Sequence, residues 1–149
     1  QFRKPMGNRI YGCDDCQLIC PWNKFGQVTQ EPDFHPRQSL DNIALSELFQ
    51  WSEQEFLDNT SGSPIRRIGF ENWQRNIAIA LGNAPYSEDI VGLLIDKKNT
   101  ISPMVDEHID WALSQQALKE QEKEVLVTSR LRLNERLIRS VEKGMPRDA

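Results

Sequence analysis

Histidine and cysteine are scarce: two and three among 149 residues. No apolar run approaches the roughly 18 residues that a membrane helix needs, which excludes a helical membrane protein. No apolar signal core follows the N-terminus, and the chain opens on Gln1-Phe2-Arg3-Lys4-Pro5 rather than on Met, so it reads as part of something longer. An excess of basic charge is also missing. The 18 basic and 22 acidic side chains leave a net charge of −4, divided evenly between residues 1–80 and 81–149. No block of the chain is therefore a basic surface that grips nucleic acid nonspecifically. With 38% hydrophobic and 27% charged residues, the composition is that of a globular chain.

All three cysteines lie within Gly12-Cys13-Asp14-Asp15-Cys16-Gln17-Leu18-Ile19-Cys20-Pro21-Trp22-Asn23. An odd number with no partner elsewhere argues against a disulfide framework and for a reducing, cytoplasmic setting. A redox motif built on Cys13-x-x-Cys16 would follow a strand and open a helix, but here a third Cys and a Pro follow. The spacing C-x2-C-x3-C-P matches the last three ligands of the bacterial ferredoxin run, with Ile10 where the first Cys would stand. In two-cluster ferredoxins the Cys before Pro ligates the other cluster. By that rule Cys13 and Cys16 serve one iron–sulfur cluster and Cys20 its neighbour, and neither is completed within this chain. A zinc site of three Cys and one His is the alternative, although only His35 and His108 are available, both distant in sequence. A purely structural cysteine turn is the third reading.

Residues 1–26 read as a loop, a short strand at Arg9-Ile10-Tyr11 and the cysteine turn; residues 27–43 read as a polar, Pro-interrupted loop. Helical punctuation begins near residue 44. Leu45, Leu48 and Phe49 have helix spacing, Ser52-Glu53-Gln54-Glu55 fits a capping box, and Ser63-Pro64 reads as N-cap and first helical position. The clearest helix is Phe70–Leu81, with Phe70, Trp73, Ile77, Ala80 and Leu81 as its buried stripe and Gly82-Asn83 as its stop. A second runs from Ser87 to about Lys97 and buries Ile90, Val91 and Leu94, with Ile95 at the edge. A third follows Ser102-Pro103, with Val105, His108, Ile109 and Ala112 on one side. From Trp111 to Lys143 there is neither Gly nor Pro, which predicts a long terminal helix with a break near Val127-Thr128-Ser129. That helix docks on the hairpin or lies on solvent. Two basic patches stand out: Arg66-Arg67 with Arg75, and the tail residues Arg130, Arg132, Arg136, Arg139, Lys143 and Arg147.

Taken together, Met6-Gly7-Asn8-Arg9-Ile10-Tyr11-Gly12-Cys13-Asp14-Asp15-Cys16-Gln17, Cys20-Pro21-Trp22-Asn23, Ser63-Pro64-Ile65-Arg66-Arg67, Asn72-Trp73-Gln74-Arg75-Asn76, Ala80-Leu81-Gly82-Asn83 and His108-Ile109-Asp110-Trp111-Ala112-Leu113 resemble the epoxyqueuosine reductase family. The resemblance covers residues 4–118, and the tail beyond reads as longer than the family pattern. With the helical punctuation it gives a mainly α chain: the end of a ferredoxin-like iron–sulfur module (1–43), a HEAT-like α-hairpin domain (44–118) and, from the Gly- and Pro-free pattern rather than the resemblance, a C-terminal helical extension (119–149). The family is a cobalamin-dependent oxidoreductase with two [4Fe-4S] clusters that reduces epoxyqueuosine to queuosine at the tRNA wobble position. The resemblance places cobalamin, the catalytic acid and the first cysteine run upstream of Gln1, so the chain alone is expected to be inactive.

Residue by residue, the resemblance makes Cys13, Cys16 and Cys20 cluster ligands and puts Asp14 and Asp15 near the corrin, with turn geometry and solvation the competing reading. Lys24, Arg66, Arg67 and Arg75 suit a tRNA with a queuosine-type anticodon, since guanidinium forks match phosphate oxygens; surface salt bridges are the competing reading. Trp22 fits packing better than base stacking, His108 fits a hydrogen-bonded core residue better than a ligand, and Trp51, Trp73 and Trp111 fit the core. The expected partners are tRNA and an unidentified electron donor, with no membrane and a monomeric state. A free-standing electron-transfer or interaction module derived from the family is the alternative.

Overall fold

The computed structural model describes residues 2–32, 40 and 43–144, with side chains through Ile138. Its secondary structure is helical, with no strand among the described residues. Among the described residues seven α-helices follow one another: α1 (Arg3–Met6), α2 (Asp15–Leu18), α3 (Leu45–Gln50), α4 (Glu53–Asn59), α5 (Gly69–Asn83), α6 (Glu88–Lys97) and α7 (Pro103–Gly144). Short 3-10 helices occupy Pro21–Phe25 and Pro64–Ile68. No described helix is long and apolar enough to cross a membrane.

The local signals explain most of these boundaries. At the start of α4 the Ser52 backbone N–H donates to Glu55 Oε2 at 2.7 Å while the Glu55 N–H donates to Ser52 Oγ at 3.3 Å, a reciprocal capping box. Ser63 Oγ accepts from the Ile65 N–H at 3.2 Å, and Pro64 opens the 3-10 turn. Helix α5 is covered on most sides: Trp73, Ile77, Ala78, Ala80 and Leu81 are buried, and Phe70 is half-buried. The core forms where α5 meets α7 and α3, from Leu48, Phe49 and Phe56 on one side and Leu94, Val105, Ile109 and Ala112 on the other. Trp73 sits at its centre, its ring 5.7 Å from Phe56 and 6.3 Å from Trp51, near enough for the offset packing aromatics prefer.

Four expectations are corrected. The strand at Arg9-Ile10-Tyr11 is absent, because no second strand lies beside it and the Ile10 carbonyl is instead taken by a side chain of α5. Gly82-Asn83 does not stop α5, which runs through both residues. A Cβ on Gly82 would lie 2.7 Å from Trp111 Cζ3 and 2.8 Å from Ala112 Cα, so this glycine is there to let α7 approach. Ile95 is 57% exposed rather than at the edge of the core. The third helix and the terminal helix are one, unbroken through Val127–Ser129: Thr128 Oγ1 donates to the Glu124 carbonyl and Ser129 Oγ to that of Leu126, so both hydroxyls are satisfied on the preceding turn.

At about 1.5 Å per residue α7 is roughly 63 Å long, far longer than the body it packs on. Its first half is buried through Val105, Ile109, Ala112 and Gln116. From Glu120 to Ile138 every side chain is exposed, Leu126, Leu131 and Leu137 included. The tail charges beyond Ile138, namely Arg139, Glu142, Lys143, Arg147 and Asp148, fall outside the described side chains.

Candidate metal centre

Gly12 opens the cysteine segment at φ +61°, a left-handed turn that a side chain would strain. Asp14 follows at φ 51°, and its carbonyl accepts from the N–H groups of Gln17 (2.9 Å) and Leu18 (2.8 Å), which starts the single turn of α2. Aspartate is among the few residues that tolerate this conformation. Asp15 pairs with Arg9 at 2.7 Å, tying together the two sides of the loop that carries Cys13. Cys20 precedes the 3-10 turn of Pro21–Phe25, and its carbonyl accepts from the Asn23 N–H at 3.0 Å. The Asn23 amide in turn donates back to the Gln17 carbonyl.

All three thiols are free, Cys13 and Cys16 exposed and Cys20 half-buried. As a donor set they fit thiolate ligation of a soft metal or cluster. No three Cys, His, Asp or Glu side chains converge on one point among the described residues. The zinc alternative finds no support in His108, whose Nδ1 lies 2.8 Å from the Met104 carbonyl in its own helix. That histidine lines a pocket with Arg75, Asn76 and Ile79 rather than with cysteine. His35 lies outside the described residues.

The segment is tied to the helical body at a few points. Asn76 Nδ2 on α5 donates to the Ile10 carbonyl at 2.9 Å. Asn83 Nδ2, two turns further along the same helix, donates to the carbonyls of Arg3 (2.8 Å) and Gly7 (2.9 Å). The Arg3 guanidinium stands 5.8 Å from the Trp111 ring centroid and pairs with Glu107 of α7. Between these anchors opens an apolar pocket of about 430 Å³, lined by Phe2, Met6, Ile10, Tyr11, Cys13 and Asn76. Asn76 and Asn83 escaped the sequence reading. The signal that could have found them is their spacing: two amides seven residues apart, which places them on one face of α5.

The basic candidates are scattered. Arg66 Nη1 donates to the Leu57 carbonyl at 3.3 Å, and Arg67 is exposed with no partner among the described residues. Arg75 turns away to Asn76 Oδ1, at 3.1 Å from Nε and 3.0 Å from Nη2. No contact joins Arg75 to the other two. Lys24 Nζ lies 4.8 Å from the Phe25 ring centroid on the cysteine side. Trp22 is 74% exposed, not packed, with its ring 5.7 Å from Phe25. Leu18, Ile19 and Val28 are exposed beside it. Of the remaining tryptophans, Trp73 is buried, and Trp51 and Trp111 are half-buried against the core.

Over its full length the chain is 56% identical to an epoxyqueuosine reductase of Yersinia pestis and 54% identical to one of Escherichia coli K12, matching their C-terminal part. It spans 36% and 38% of the length of those proteins. A relative of the same name from Xanthomonas campestris is 60% identical over 117 residues, 78% of this chain and 33% of its own length. The similarity therefore extends past residue 118 in the first two, where the sequence motifs carried it no further. Among solved structures, epoxyqueuosine reductase from Bacillus subtilis superposes with a TM-score of 0.69 at 28% identity, over 77% of this chain and 31% of that one. A crystal structure of epoxyqueuosine reductase with an epoxyqueuosine-modified tRNA-Tyr stem loop matches equally well. No family model matches the chain.

Proposed function

We propose that this chain is the C-terminal part of an epoxyqueuosine reductase, an oxidoreductase that reduces epoxyqueuosine to queuosine at the tRNA wobble position. The observation that carries this reading is identity of 54–56% along the whole chain to proteins of that name. The three free thiols support it. Cys13 and Cys16 contribute to one [4Fe-4S] cluster and Cys20 to a second, and residues outside this chain complete both. When bound, such clusters pass single electrons to the reducing centre. The chain's own work is to present Cys13 and Cys16 outward on the turn closed by Arg9 and Asp15. Residues 1–43 supply these ligands, the HEAT-like helices of 44–118 supply the platform, and residues 119–149 form the extension, helical in α7 as far as Gly144.

Lys24, Arg66 and Arg67 offer exposed cations for the tRNA backbone, and Arg75 becomes available only by leaving Asn76. Cobalamin does not fit the residues present. Asp15 is engaged with Arg9, and neither Asp14 nor Asp15 borders the pocket beside Cys13.

The test is turnover by the full-length protein containing this chain, purified without oxygen and supplied with a reductant and epoxyqueuosine-containing tRNA. Nucleoside mass spectrometry should show queuosine. Cys13→Ala and Cys16→Ala should lose both iron and product, and the 149-residue chain alone should form none. Full-length protein replete in both clusters and cobalamin that still leaves epoxyqueuosine unchanged would overturn the reading.

A further inference from the structure

Every side chain from Tyr11 to Ile19 is exposed, so the turn that carries Cys13 and Cys16 buries no side chain against the helical body. What fixes it lies just before it. Asn76 and Asn83 are seven residues apart on α5 and so share one face. Both spend their amide N–H groups on backbone carbonyls of the N-terminal segment. Asn76 reaches Ile10, three residues before Cys13, at 2.9 Å. Its orientation is set from the other side, because its Oδ1 accepts both Nε and Nη2 of Arg75. With the oxygen occupied, only the N–H end faces Ile10. Asn83 holds the two ends of α1 through Arg3 and Gly7. Beyond Ile10 the chain turns at Gly12 and is closed by the 2.7 Å pair of Arg9 and Asp15. The path from the core to the thiols thus runs from Asn76 to the Ile10 carbonyl, through the Gly12 turn, to Cys13.

We propose that Asn76 is a positioning residue for the iron–sulfur ligands: by holding the Ile10 carbonyl it sets where Cys13 and Cys16 stand relative to the helical body, with Asn83 securing the segment further upstream. The proposal rests on the reading of these cysteines as cluster ligands. The buried core itself forms between α3, α5 and α7, with the Ile10 side chain packed on its edge, so thermal unfolding is read beside the clusters to separate a loss of stability from a shift of the thiols.

The experiment uses the full-length protein purified without oxygen. Asn76→Asp keeps the shape and the acceptor for Arg75 but deletes the donor to Ile10. Asn72→Ala is the control, since that amide bonds only the Ile68 carbonyl of the preceding turn, at 2.8 Å. Iron and sulfide content, the EPR spectrum of the reduced clusters and the rate at which visible absorption bleaches in air are read together with thermal unfolding. Asn76→Asp should retain its clusters, shift the EPR spectrum of one of them and bleach roughly tenfold faster, the factor that loss of a hydrogen bond of about 1.4 kcal/mol produces. Asn83→Ala should change in the same direction by less, and it serves as the readout if the Asn76 variant does not fold. Clusters with wild-type spectra and bleaching in both variants would overturn the proposal, as would an equal change in Asn72→Ala. Wild-type protein without iron and sulfide would instead sink the cluster reading itself, a result distinguishable from clusters that are present and indifferent to Asn76.

Discussion

Gly82 and Gly92 both sit inside helices, α5 and α6, and replacing each with alanine adds the same methyl group. In an open helical position that change stabilises by roughly 0.5–1 kcal/mol, because glycine loses more backbone freedom on folding. Gly92 is such a position: a Cβ there meets nothing within 4 Å. At Gly82 the methyl would lie 2.7 Å from Trp111 Cζ3, 2.8 Å from Ala112 Cα and 3.0 Å from Ala112 Cβ. The tryptophan ring has room to tilt, but a backbone Cα moves only if α7 moves. Overpacking of this kind costs about 1–3 kcal/mol, so after the helix-propensity gain Gly82→Ala should lose roughly 1–2 kcal/mol net. For a chain of this size that is a fall in Tm of about 4–8 °C, while Gly92→Ala should rise by about 2–4 °C. Tryptophan fluorescence is the appropriate probe, because buried Trp73 and half-buried Trp111 lie in the packed region and the exposed half of α7 carries no Trp. An unchanged or raised Tm in Gly82→Ala would refute the claim that α5 and α7 meet at this glycine.

Two further outcomes follow from individual contacts. Ser52→Ala should cost about 1 kcal/mol by opening the capping box of α4, read as a lower urea midpoint. Its partner Glu55 is held below its ordinary value of 4.5, first by the Ser52 backbone N–H and then by the Ser52 hydroxyl. A carboxylate with a depressed folded pKa stabilises above its unfolded value and loses that contribution as pH falls through the folded one. The difference in Tm between wild type and Glu55→Gln should therefore be full at pH 7 and shrink below pH 4.5. Deleting residues 129–149 should leave core stability within about 0.5 kcal/mol, because α7 is wholly exposed there as far as its side chains are described. Limited proteolysis should cut that stretch first, and a drop of several degrees in the Tm of the truncated chain would contradict this.

The helices were legible where the information is local. Ser52-x-x-Glu55, Ser63-Pro64 and the apolar spacing of Phe70 through Leu81 each state their own structure, and the long Gly- and Pro-free tail states a helix. The misreadings share a cause. Glycine marks a helix end and a close helix crossing with the same letter, and Gly82 was the second. Val127-Thr128-Ser129 looked like a break because β-branched and hydroxyl residues weaken helices, but the hydroxyls bond back to Glu124 and Leu126. Ile10-Tyr11 has strand propensity, yet propensity needs a partner strand, and the partner is the Asn76 amide 66 residues away. At the candidate site the three cysteines and their spacing were readable, because soft-donor chemistry is written in the residues themselves. The anchors of that site were not, since the pairs Arg3 with Glu107 and Asn83 with Gly7 exist only after α5 and α7 have packed.

Helix α5 serves both the core and the N-terminal segment, with adjoining faces, and this couples them. Trp73, Ile77 and Leu81 bury its inner side in the core, while Asn76 and Asn83 hold the segment that leads to the cysteines. Gly82 and Asn83 are neighbours, so the close approach of α5 to α7 stands one residue from one of the two anchors. A methyl at Gly82 that pushes α5 from α7 must also shift Asn83 relative to Arg3, whose guanidinium is pinned to Glu107 and Trp111 on α7. A methyl at Gly92 displaces nothing on this path. The two alanine variants should consequently differ in more than stability: at a temperature where both are folded, air bleaching of the clusters in the full-length protein should quicken in Gly82→Ala and stay at the wild-type rate in Gly92→Ala. Equal rates would mean that the cysteine turn is positioned independently of α5, and the coupling drawn from the asparagine contacts would fall.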